Sequence, residues 1–87
     1  MQEQESIDTV ALIEAEELDE LIQRAILAIP VRSREIFLKS RNENLSNREI
    51  AEELDISIKT VEKHITRSLK IIRKVLGDNY YLLFFLL

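Results

Sequence analysis

The sequence predicts an all-α domain of four to five helices, and three observations carry that prediction. Apolar residues recur at i, i+3, i+4 and i+7 along two long stretches, the spacing of one helix face. Ser46-Asn47-Arg48-Glu49 has the form of a capping box, the signature of a helix start. The 87 residues contain one Gly and one Pro, too few to punctuate a turn-rich all-β fold. With no Cys and one His, neither a disulfide nor a thiolate or multi-His metal site is available. Apolar packing alone must hold the fold, which is marginal at this length.

The elements follow in chain order. Residues 1–14 read as an acidic linker or N-terminal extension, of which residues 1–10 are frayed or weakly helical. A first helix is expected over about residues 12–29, with Leu18, Leu21, Ile22, Ala25, Ile26 and Ile29 on one face. Pro30 stops it, because the residue before a proline is pushed out of the α region. A second helix runs from residue 31 or 32 to 41 and buries Ile36, Phe37 and Leu38. Asn42-Glu43-Asn44 reads as a loop. The Ser46 box opens a third helix of about nine residues that buries Ile50, Ala51 and Leu54. Asp55-Ile56 is a tight turn, and Ser57 caps a long fourth helix over residues 58–76. Its stripe is Ile58, Val61, Ile65, Leu69, Ile72 and Leu76. Gly77 is a natural terminator. Residues 77–87 form an apolar tail, with Tyr80–Leu87 a candidate fifth helix but far short of the ~20 residues needed to span a bilayer.

The third and fourth helices, joined by a very short turn, have the layout of a helix-turn-helix DNA-binding core with a long recognition helix. Ala51 is small enough to let the two cross closely, and Ile56 can plug the turn. The net charge of −4 speaks against DNA until it is divided along the chain. Residues 1–30 carry −7, residues 31–76 carry +4 and residues 77–87 carry −1. Seven of the eleven bases in residues 31–76 lie on the helix-turn-helix. At 100° per residue, Thr60, Lys63, Arg67 and Lys74 lie within about 40° of the pole opposite the apolar stripe, flanked by Lys59 and Lys70. Glu62 is displaced toward the buried side.

A charged helix face is ordinarily just a solvated one. Here the single sign, the two-helix layout and the capping box argue for more. Lys and Arg neutralise phosphates, and Lys63 and Arg67 are placed to reach guanine O6 and N7. The helix starts at Arg48 and at Ser57, Lys59 and Thr60 offer backbone N–H groups to phosphates. His64 lies at the flank, a partly exposed His close enough to touch a DNA phosphate. It has no second ligand for a metal, so no metal or other cofactor is expected. No nucleophile–base pair or Gly-rich phosphate loop is present, which argues against an enzyme.

At this point the residues carry a resemblance. Ala25-Ile26-Leu27-Ala28-Ile29-Pro30 followed by Arg34-Glu35-Ile36-Phe37-Leu38 resembles the lead-in to region 4 of bacterial extracytoplasmic-function sigma factors. Leu45-Ser46-Asn47-Arg48-Glu49-Ile50-Ala51-Glu52-Glu53-Leu54-Asp55-Ile56-Ser57 is similar to the helix-turn-helix core of that region. Ile58-Lys59-Thr60-Val61-Glu62-Lys63-His64-Ile65, running on to Lys74, is similar to its recognition helix. The likeness covers about residues 15–76. The apolar tail resembles that of sigma factors from Bacteroides-like bacteria.

The resemblance implies recognition of the −35 promoter element in double-stranded DNA and docking on the β flap of RNA polymerase. It also implies an anti-sigma partner. The acidic, polar N-terminus, unlike a secretory signal, and a tail too short to span a bilayer predict a cytoplasmic location without membrane insertion. By position the resemblance assigns Arg48, Lys59, Thr60, Lys63, His64 and Arg67 to the DNA side; Ser57, at the helix start, and Lys70, flanking the cationic face, join them from the reading of the residues themselves. The family often has Gly where this chain has Asp55. It also uses a region 2 with no counterpart here, so the chain is expected to be a fragment of a longer sigma factor.

Two other readings compete. A LuxR-type response-regulator domain shares the Leu-Ser-Asn-Arg-Glu-Ile-Ala core. The helix ending at Pro30 and the long fourth helix weigh against it. An adaptor that binds protein through its tail and acidic helix, without touching DNA, is the third.

Overall fold

The computed structural model describes residues 15–78 as four helices: α1 (Ala15–Leu27), α2 (Val31–Asn42), α3 (Asn47–Leu54) and α4 (Ile58–Leu76). There is no strand among the described residues. The expected start of the first helix at residue 12, the frayed residues 1–10 and the candidate helix over Tyr80–Leu87 lie outside them.

α1 ends at Leu27, two residues short of the expected limit. The Ala28 N–H is shared between the carbonyls of Arg24 and Ala25, both at 3.2 Å, and the Ile29 N–H bonds Ile26 at 3.1 Å. The chain thus tightens into a narrower turn before Pro30. Arg34 satisfies the carbonyls left over. Its Nη2 donates to Leu27 O at 3.2 Å and Ile29 O at 3.1 Å, and its Nε donates to Ile29 O at 3.3 Å. One guanidinium therefore fixes the α1–α2 corner and caps the end of α1.

α2 buries Ser33, Ile36 and Phe37, while Leu38 is only half-buried. Asn42 is its last residue and not part of the loop. At the start of α3, Ser46 Oγ accepts from the Glu49 N–H at 3.1 Å and Glu49 Oε1 accepts from the Ser46 N–H at 2.9 Å. That N–H holds the Glu49 carboxyl below its ordinary pKa, so the box strengthens once Glu49 is ionised.

α3 ends at Asp55, which is left-handed (φ 56, ψ 49), and the Ile56 N–H reaches back to Ala51 O at 3.0 Å. Asp tolerates this conformation better than most residues, but Gly suits it without strain. Asp55→Gly is expected to stabilise the domain by about 1 kcal/mol, read as a higher urea midpoint. An unchanged or lower midpoint would show that the Asp side chain itself supports the turn.

α4 begins at the Ser57 cap, whose Oγ accepts from the Thr60 N–H at 3.0 Å. It ends at Gly77 (φ 56), whose N–H donates to Arg73 O. Val61, Ile72 and Leu76 of the expected stripe are buried, and Ile65 and Leu69 are half-buried. Ile58 departs from the expectation and is 41% exposed. It is the first residue of the helix and lines the open hollow at the turn with Arg48, Ala51 and Glu52.

Two apolar clusters meet on the back of α4. Ala25, Ile29, Phe37, Ile72 and Leu76 join α1 and α2 to its second half. Ile36, Ile50, Ala51 and Val61 join α2 and α3 to its first half, with Leu54, Ile56 and Ile65 at the margin. Ala51 is 6% exposed at the α3–α4 crossing, where its small side chain permits close approach. Leu54 is half-buried and not fully buried. At the surface, Lys39 Nζ of α2 pairs with Glu53 of α3 at 2.7 Å, a hydrogen bond that raises the pKa of the ammonium. An exposed pair of this kind contributes little stability.

Candidate nucleic-acid interface

The helix-turn-helix places the predicted residues in two neighbouring hollows. Lys59, Lys63, Arg67 and Lys70 line a shallow groove of about 520 Å³ along α4, together with Glu62, Thr66 and Ile71. Arg48 and Ser57 line a second hollow of about 420 Å³ at the turn, with Ala51, Glu52, Asp55, Ile56 and Ile58. Lys59, Lys63, Arg67 and Lys70 are all exposed and make no ion pair among the described residues. Four unpaired cations a turn apart on one helix form a strip of single-sign potential, the arrangement that draws a polyanion.

Thr60 and His64 line neither hollow, and each is half-buried. Thr60 Oγ1 lies 2.8 Å from Ser57 Oγ, so its hydroxyl joins the cap. His64 Nδ1 lies 2.7 Å from Ser33 Oγ of α2. Ser68 Oγ donates to His64 O at 2.8 Å and to Ser33 O at 3.4 Å. Ser33, His64 and Ser68 thus form a polar seam fixing α4 against α2. Sequence periodicity missed it, because Ser33 and Ser68 look like surface residues until two helices bring them together.

Burial lowers the His64 pKa, and the nearby charges of Arg67, Arg32 and Lys63 lower it further. The folded state therefore favours the neutral imidazole. Below the unfolded value of 6.5 the unfolded chain takes up the proton first. The stability from this site is complete above that pH and is lost as pH falls toward the folded pKa. Urea midpoints are expected to drop between about pH 7.5 and about pH 5.5, and to drop less in His64→Gln. Equal drops in both proteins would place the pH dependence elsewhere.

Two further features escaped the sequence. Arg32 of α2 lies near enough to influence His64, which brings a cation from another helix alongside α4. Only packing could reveal that. Glu62 is exposed and lines the cationic groove, contrary to its expected displacement toward the buried side.

A third hollow of about 390 Å³ lies between α1 and α2, lined by Ile22, Gln23, Ile26, Phe37, Leu38, Arg41 and Asn42. It lies away from the α4 groove and is mainly apolar at its base. Among the described residues no group of side chains is suited to hold a metal ion, and no helix is long and apolar enough to cross a membrane.

Fold and surface together define a small helix-turn-helix domain with a cationic second helix. The family model described as Sigma-70, region 4 matches residues 19–72, well over half of the chain, and the chain belongs to that family. No curated protein and no solved structure gave a significant match. Region 4 is a DNA-binding regulatory domain of promoter-recognising sigma factors and not an enzymatic family. The match takes in α1 from residue 19, all of α2 and α3 and most of α4, and it favours the sigma reading over the LuxR-type one.

Proposed function

We propose that this chain reads the −35 promoter element as region 4 of an extracytoplasmic-function sigma factor, directing RNA polymerase to initiate transcription in the cytoplasm. The observation that carries the reading is the exposed strip of Lys59, Lys63, Arg67 and Lys70, unpaired and opposite the buried stripe of α4. In this reading α4 lies in the major groove. Arg48 and the Ser57 helix start hold phosphates on one side. Thr60 and His64 flank the contact, and their main task is to set the helix in place.

The α1–α2 hollow supports a polymerase contact. Its base of Ile22, Ile26, Phe37 and Leu38 suits an apolar segment of the β flap, and it lies on helices that the DNA strip does not use. An anti-sigma protein that covers either surface would silence the domain. No cofactor enters the reading.

Salt dependence tests it. Five cations placed on phosphates give a slope of log K against log salt of roughly −4 to −5. Lys70→Ala is expected to reduce that slope by about 1, measured by fluorescence anisotropy on a duplex carrying a −35 element. No measurable affinity for the duplex at low salt would overturn the reading and favour the adaptor.

A further inference from the structure

Glu62 is the only acid in α4, and it stands in the groove among Lys59, Lys63, Arg67 and Lys70. It is exposed and makes no ion pair among the described residues, although Lys59 lies one turn before it. Neither of the ordinary reasons for a helical carboxylate applies. The residue lies beyond the first turn, where the helix dipole rewards negative charge, and it is not used as an intrahelical partner. A free carboxylate beside phosphates is repelled unless something in the DNA donates to it.

The major groove offers two exocyclic donors, cytosine N4 and adenine N6. Adenine presents its N7 acceptor beside N6, which opposes a carboxylate, whereas cytosine presents the amino group without a neighbouring acceptor. We propose that Glu62 is a specificity residue that accepts a hydrogen bond from the N4 amino group of one cytosine in the recognised element. The assignment rests on the DNA-reading role proposed for α4. The flanking cations hold the strands by their phosphates, and Glu62 turns that general attraction into a choice of base.

The test is selection of binding sites from randomised duplexes by the full 87-residue chain and by Glu62→Gln. Glutamine keeps the size, loses the charge, and pairs with adenine N6 and N7. The unchanged chain is expected to select a cytosine at one position, and replacing it by thymine should weaken binding about tenfold. In Glu62→Gln that penalty should fall to about twofold or less, with adenine enriched at the same position and the other positions unchanged. The proposal is overturned if Glu62→Gln selects the same cytosine, or if it binds every sequence more tightly with its preferences intact. The second outcome would show that Glu62 only repels. A parent chain that selects no sequence at all would sink the DNA-reading role of α4 as well.

Discussion

Replacing Lys63 and Arg67 together by Glu is expected to abolish promoter-DNA binding while leaving the helical content unchanged. Both side chains are exposed and line the α4 groove, and neither makes a hydrogen bond or ion pair among the described residues. The fold does not depend on them, so circular dichroism should be unaltered. Binding loses two phosphate contacts and gains two repulsions. At the effective dielectric of a protein surface this amounts to roughly 4 kcal/mol or more, about three orders of magnitude in affinity. Reversing Arg24, an exposed cation on α1 that lines neither hollow of the helix-turn-helix, should cost far less. A double variant at 63 and 67 that binds as tightly as the parent would show that the docking face is elsewhere.

The second large effect is on stability. Ile50 is fully buried where α2, α3 and α4 meet, packed with Ile36, Ala51 and Val61. Truncating a buried Ile to Ala removes transfer free energy and leaves a cavity, typically at a cost of 2–5 kcal/mol. A domain of this size holds about 5 kcal/mol in total. Ile50→Ala should therefore lower Tm by roughly 15 °C and leave a sizeable unfolded fraction at 37 °C. Ile50→Val removes only one methyl group and should cost about 1 kcal/mol. If Ile50→Ala melts within a few degrees of the parent, the cluster is looser than its burial implies.

Most of the helix boundaries were legible because caps are local. The Ser46–Glu49 box, left-handed Asp55, the Ser57 cap and Gly77 each act within a few residues, and each lies where the sequence puts it. The second half of the chain could be laid out almost residue by residue. The end of α1 was less legible, because the turn before Pro30 tightens early and is closed by Arg34, which comes several residues later.

The candidate site was legible in direction but not in outline. Periodicity pointed Lys59, Lys63, Arg67 and Lys70 away from the core, and all four share one groove. It did not say how wide a strip the neighbouring helices would cover. That width decided that Ile58 and Glu62 stay in solvent. It also decided that His64, which looked like a flanking contact, turns one ring nitrogen to Ser33. Side-chain spacing within one helix holds no information about a hydroxyl thirty-one residues away.

Phe37 belongs to both halves of the domain. It forms part of the base of the α1–α2 hollow, and it packs in the cluster that holds Ile72 and Leu76 of α4. A segment seated in that hollow would rest on a ring whose other neighbours include two residues of the helix that carries the cationic strip. In the initiation complex proposed above, that one side chain would be a spacer: it meets the partner at the hollow and packs in the cluster that holds α4.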